Sequence, residues 1–285
     1  MNPHHFIISF LLGSVLSIPA VGLARDALRD WTNTSGKTIS ASLTETQEDS
    51  VTLRLSNGRT YEVALATLSE ADQQYVQEWK VEQEAAAIRE AMGTKLGDAT
   101  EPFVETAFEQ ATPPTRKGMV EGWQAGIGEW RIEEGFLIGD EVAEDNHASS
   151  LTYRLETTNL IITAQVQLST AENITFACRD TVPPNNHLGR LYITPDKLWI
   201  QHMTGIAKTT TSEKLVTKDV KLKPDEWYDV TIEIIGDQYR ATVGDEEIEA
   251  THPRFADAIG IVALVNRGQG ARFRNVALWN AEPKE

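Results

Sequence analysis

Apolar and polar residues alternate one by one from Tyr228 to Ile234, and Gly-Asp pairs break the alternation at Gly236-Asp237 and again at Gly244-Asp245. A period of two puts alternate side chains on opposite faces of a strand, and Gly-Asp supplies the positive φ of a tight hairpin turn. The pattern predicts strands over 227–234, 238–243, 246–250, 259–265 and 271–279. Upstream, 148–155, 160–168, 173–179, 189–193 and 198–203 read the same way, and 128–132 with 134–139 form a first hairpin. About a dozen short strands with no helical period between them predict two facing sheets, a jelly roll.

The N-terminal part is patterned differently. Short β-like runs cover 38–46, 50–55 and 60–64, with Asn57-Gly58 as a hairpin turn. Ser69 then caps a helix that carries Glu70 and Asp72 in its first turn and extends to about Met92, stopping near Gly93. Its second half, from Gln77 to Glu90, has little apolar face and reads as solvated. Residues 93–118 hold Gly93, Gly97, Pro102 and Pro113-Pro114 and read as an inter-domain linker.

The chain opens on an apolar run from Phe6 to Ile18, too short for a comfortable membrane span. Gly22 and Ala24 then stand at the −3 and −1 positions of a cleavage site, so 1–24 reads as a secretory signal peptide and the mature protein as secreted or periplasmic. The rival is an uncleaved anchor, because the n-region has no Lys or Arg. No later run is apolar enough to span a bilayer, so no membrane span is expected after cleavage.

The net charge is −16, and Lys and Arg form no stripe, which excludes a nucleic-acid footprint. The one cysteine, Cys178, lies in an apolar run and reads as a buried, inert thiol. There is no zinc, P-loop or dinucleotide motif, and no Gly-x-Ser-x-Gly elbow.

Two resemblances are carried by particular residues. Arg29-Asp-Trp31-Thr, Ser35-Gly36-Lys37, Ala41-Ser-Leu43, Val51-Thr-Leu53, Asn57-Gly58-Arg59 and Leu68-Ser69 resemble the SLA-homology-one domain over about 27–80. That implies an SH3-like β-barrel, with the helix beyond it, and a docking role toward a peptide or protein partner. Gly128-Glu-Trp130, Gly135-Phe-Leu137, Glu226-Trp227 with Val230, Ile232 and Gly236, Gly260 with Ile261 and Leu264, and Phe273-Arg274-Asn275-Val276 follow a second pattern. It is similar to the 3-keto-disaccharide hydrolase family and places a concanavalin-like domain at 119–281. The implied fold class is mainly β: a small SH3-like barrel, a helix and linker, then a concanavalin-like β-sandwich. The implied chemistry acts on 3-keto sugars, whose ketone acidifies the neighbouring C–H. Where that family carries Asn-Ser-Gly and Glu-x-Gln, this chain reads Glu172-Asn173-Ile-Thr-Phe-Ala-Cys178-Arg179 and Gly189-Arg190-Leu-Tyr192. Arg179 corresponds to the family's arginine.

The candidate catalytic residues are His147, His187 and Arg179, which offer imidazole bases and a cation. Arg190, Tyr192, Trp199 and His202 are candidate substrate-binding residues. Glu141, Glu144 and Asp145 are candidate ligands for calcium, although they lack EF-hand spacing. Two functions stay open on this reading. One is a hydrolase or lyase acting on 3-keto-glycosides. The other is a non-catalytic glycan-binding or protein-docking module.

Overall fold

The structure is a computed structural model, and it describes residues 28–182, 186–205 and 209–284. The signal peptide expected at 1–24 lies outside the described residues. The chain divides into two compact units, Met1–Ala86 and Ala87–Glu285. No helix among the described residues is long and apolar enough to cross a membrane.

The first unit is a four-stranded antiparallel sheet in sequential order: β1 (Arg29–Thr32), β2 (Thr38–Thr46), β3 (Ser50–Leu55) and β4 (Thr60–Ala64). Helix α1 (Glu70–Ala91) follows. Ser69 caps it as expected, its Oγ accepting from the Asp72 N–H at 3.3 Å. Trp31, Leu43, Val51, Leu53, Leu68 and Val76 make a small apolar core. The indole N–H of Trp31 donates to the Ala41 carbonyl, so this buried ring carries no unsatisfied polar atom.

The second unit is a β-sandwich. Its strands are β5 (Gly97–Thr106), β6 (Thr112–Thr115), β7 (Gly118–Val120), β8 (Trp123–Ile127), β9 (Glu129–Glu133), β10 (Phe136–Asp140) and β11 (Ser149–Thr157). They continue as β12 (Leu160–Gln167), β13 (Asn173–Asp180), β14 (His187–Ile193), β15 (Lys197–Thr204) and β16 (Thr211–Asp219). The last are β17 (Tyr228–Ile235), β18 (Gln238–Val243), β19 (Glu246–Thr251), β20 (Ile259–Arg267) and β21 (Ala271–Pro283). One sheet has the order β19-β18-β17-β12-β21-β10-β9-β6, with β5 on the free side of β21. The other has eight strands in the order β16-β15-β14-β13-β20-β11-β8-β7. All pairings are antiparallel, and neighbours in space are often far apart in sequence, as a jelly roll requires.

The core lies between these sheets. Alternate residues of β13 (Ile174, Phe176 and Cys178) point into it with Leu191, Ile193, Leu198, Ile200, Val262 and Leu264 from neighbouring strands. Removing this much apolar side chain from water is the main stabilising term. Parity then forces Thr175, Ala177 and Arg179 of β13 onto the outer face of the eight-stranded sheet.

Two expectations are corrected. Residues 93–118 are no linker: β5 pairs with β21 from Thr106 to Gly97, and β6 extends the same sheet. Pro102 is tolerated because β5 runs along an edge, where a missing N–H costs little. Strand β16 was absent from the hydrophobic pattern because most of its residues are exposed. It is the polar edge of its sheet, paired through β15.

Candidate functional site

The outer face of the eight-stranded sheet carries a cavity of about 160 Å³. Strand β13 supplies Asn173, Thr175, Ala177 and Arg179, β14 supplies Arg190 and Tyr192, and β20 supplies Ala263, Val265 and Arg267. His147 and Ala148 come from the segment before β11. Register explains the set: Ala177 stands opposite Arg190 on one side and Ala263 on the other, while Thr175 stands between Tyr192 and Val265. Ala148, Ala177, Ala263 and Val265 form a small apolar floor separate from the main core. Short side chains there leave room above the sheet, and the longer polar residues become the walls.

Four predicted site residues therefore meet in one place: His147, Arg179, Arg190 and Tyr192. The Nδ1 of His147 lies 2.7 Å from the carbonyl oxygen of Ala148. A carbonyl can only accept, so Nδ1 carries the hydrogen, and Nε2 is the ring nitrogen that can take a proton. Trp199 lies beside the cavity, stacked on Tyr192 with centroids 4.5 Å apart and planes 8° apart. The Lys214 ammonium sits 4.5 Å from the Trp199 ring centre. The stacked pair extends the cavity wall toward the sheet edge.

His187 stands behind the wall rather than in it. The residue is 7% exposed, and the Arg190 guanidinium approaches its Nδ1 at 3.2 Å. Burial, Arg190, Arg179 and His147 together push its pKa down to about 3. A group that weakly basic is a poor proton acceptor near neutrality, which corrects the expectation of a catalytic base there. What His187 does is hold Arg190, whose other terminal nitrogen donates to the Tyr192 hydroxyl at 3.1 Å.

His202 does not reach the cavity. Counted from Leu198 and Ile200, its parity turns it inward, where it is buried and stacks on His252 with centroids 3.7 Å apart. Burial, first of all, lowers its pKa. With Glu213 and His252 it offers donor atoms that all lie within 4.8 Å of one another. Two imidazoles and a carboxylate are not the oxygen set that calcium takes.

The acidic residues predicted as calcium ligands do other work. Glu141 accepts from Arg267 Nη1 at 2.9 Å and from the Gly268 N–H at 2.9 Å. Asp145 accepts from the Gly128 N–H at 2.8 Å and from Arg116 at 2.5 Å, contacts that hold its pKa down. Glu144 is exposed in the short 3₁₀ turn Ala143–Asp145. Among the described residues these carboxylates form no shared ligand cluster. Glu141 and Asp145 pin the two ends of the loop that delivers His147.

Cys178 points into the core, and burial raises its thiol pKa to about 12, which leaves it inert as expected. The opposite sheet carries a wider groove of about 450 Å³ lined by Gln165, Asp229, Asn275 and Trp279 among others. Among the described residues it brings together no imidazole and no guanidinium.

Residues 117–278 match the model of a family described as 3-keto-alpha-glucoside-1,2-lyase-like. No curated protein matches the chain in sequence. Among solved structures, the carbohydrate-binding module CBM66 from Bacillus subtilis is 13% identical, covering 56% of this chain and 96% of its own, with a TM-score of 0.46. An endo-beta-1,3-glucanase from Pyrococcus furiosus is 11% identical, covering 66% and 96%, with a TM-score of 0.43. A protein with a galectin-like fold from Bacillus subtilis is 10% identical, covering 66% and 100%, with a TM-score of 0.48.

Proposed function

The chain belongs to the 3-keto-alpha-glucoside-1,2-lyase-like family, and from that premise we propose that the cavity on its eight-stranded sheet binds a 3-keto-glycoside and promotes loss of the glycosidic group. The observation that carries this reading is His147, an accessible imidazole at the cavity whose tautomer leaves Nε2 free to take a proton. A ketone at C3 acidifies the C2–H bond. His147 Nε2 takes that proton, and the C–H electron pair becomes an enolate whose oxygen faces guanidinium groups of the wall. The enolate returns to the C3 ketone, its electron pair forms a C1–C2 double bond as the C1–O bond breaks, and the departing oxygen takes the proton held by His147. Tyr192, stacked on Trp199, offers aromatic surface at the cavity to a sugar ring.

A second reading is a glycan-binding module without turnover. It is favoured by the absence of the Asn-Ser-Gly and Glu-x-Gln signatures and by the low basicity of His187. In both readings the protein is secreted or periplasmic, and the N-terminal unit serves as a docking module for a peptide or protein.

The test is incubation of the mature chain with a panel of 3-keto-glycosides, with and without chelator, following released sugar or aglycone. Release that His147→Gln abolishes while the variant melts like the parent supports the enzyme. Sugar binding by calorimetry with no release supports the module. Silence in both overturns the carbohydrate reading.

A further inference from the structure

The cavity is cationic in an acidic protein. The chain carries a net charge of −16, yet among the described residues the cavity is lined by Arg179, Arg190, Arg267 and His147 and by no carboxylate. Arg267 is neutralised by Glu141 at 2.9 Å. Arg179 and Arg190 have no ion-pair partner among the described residues. Arg190 donates to a tyrosine hydroxyl and a neutral imidazole, neither of which cancels its charge. The Nε atoms of Arg179 and Arg190 are both buried without a hydrogen-bond acceptor. The acid next in sequence, Asp180, is directed elsewhere, accepting from Asn186 and from Arg254 at 3.1 Å.

Two half-buried guanidiniums that repel each other are costly to hold together. The cost shows in Arg179, whose pKa is lowered by burial and by Arg190. Burial, and after it the same two charges, depress His187. Buried donors left without acceptors add to the penalty. One ligand relieves every one of these terms, and it is an anion. Guanidinium groups bind carboxylate, sulfate and phosphate oxygens through short, charge-assisted hydrogen bonds.

We propose that the cavity recognises an acidic sugar, whose carboxylate, sulfate or phosphate group seats against Arg179 and Arg190 while its ring lies toward Tyr192. The sugar part rests on the proposed function above, and the anion part rests on the two arginines alone. His187 is a positioning residue in this scheme: its neutral ring holds Arg190 from behind without drawing off its charge.

Calorimetry on the full mature chain separates the two parts. The probes are glucuronate, galacturonate, glucose 6-sulfate, neutral glucose, inorganic sulfate and inorganic phosphate, each at low and at high salt. The expected result is that acidic sugars bind about tenfold or more tighter than glucose at low salt, with the gap closing as salt screens the charge. Arg179→Gln and Arg190→Gln should each abolish the preference, and Arg179→Lys should restore part of it. If glucose binds as tightly as the acidic sugars, the anion proposal falls and the carbohydrate reading stands. If sulfate and phosphate bind but no sugar does, the anion site stands and the carbohydrate reading falls. If no anion binds the parent at low salt, the proposal is overturned whatever the variants do. Salt dependence in the parent alone tests the charge preference should the arginine variants fail to fold.

Discussion

Nη2 of Arg190 lies 3.2 Å from Nδ1 of His187, so the imidazole must stay neutral and act as acceptor. Burial first, and then the charge of Arg190, disfavours the protonated ring, so the folded pKa falls from 6.5 to about 3. Above about pH 6.5 both folded and unfolded chains hold this ring neutral, and its contribution to stability is fully present. As pH falls toward 3, the unfolded chain takes up a proton that the folded chain refuses. Stability should therefore drop by up to about 1.4 kcal/mol per pH unit from this group. His187→Gln keeps an acceptor for Arg190 and removes the titration. Urea midpoints measured across the acidic range should fall less steeply in the variant than in the parent, and parallel curves would refute the assignment.

His147 should matter to rate and not to fold. It is exposed, and among the described residues its ring bonds only the neighbouring carbonyl. Given turnover of a 3-keto-glycoside, His147→Gln should lower kcat by about 10²–10⁴ while leaving the melting temperature unchanged. A variant that keeps its rate would move the proton acceptor elsewhere.

Tyr192 and Trp199 stack on each other outside the core, so shortening one should weaken ligand binding without unfolding the protein. Tyr192→Ala also removes the hydroxyl that accepts from Arg190. The expected loss is about 1 kcal/mol or more in sugar binding by calorimetry. Equal affinity in the variant would mean that the ring sits elsewhere on the sheet.

On the opposite sheet, Glu233 is fully buried and accepts backbone N–H bonds from Lys95, Leu96 and Gly97 as well as a bond from Arg240. Arg240 bridges onward to Glu247, which Lys95 also reaches. Glu233→Ala leaves a buried guanidinium short of one acid and strands three N–H donors. Destabilisation of about 3–5 kcal/mol is expected from urea unfolding. The double change Glu233→Leu with Arg240→Leu removes the buried charge pair together and should cost less than the two single losses added.

The hydrophobic pattern shows strands wherever one face is buried. Strand β18 is read at its observed bounds, because alternation between two Gly-Asp turns leaves no other register. Strand β16 and the Pro-bearing β5 escape such reading, since an edge strand needs only a hydrogen-bonding neighbour and carries little apolar signal. Parity was legible at His202, two residues beyond Ile200 and therefore inward with it. The anchoring roles of Glu141 and Asp145 were not, because their partners Arg267, Gly268 and Gly128 lie far along the chain.

Sequence alone determined the strand-rich sandwich, the helix cap at Ser69 and the residue types available for chemistry, because turn residues and two-residue periodicity act locally. Tertiary structure decided which of those residues share a site. It set Arg190 beside Ala177 and Thr175 beside Val265 through antiparallel register. It also directed Asp180 to Arg254, leaving two arginines without an acid among the described residues. Charge and basicity in the cavity follow from those neighbours, and strands distant in sequence become neighbours only when the sheets assemble.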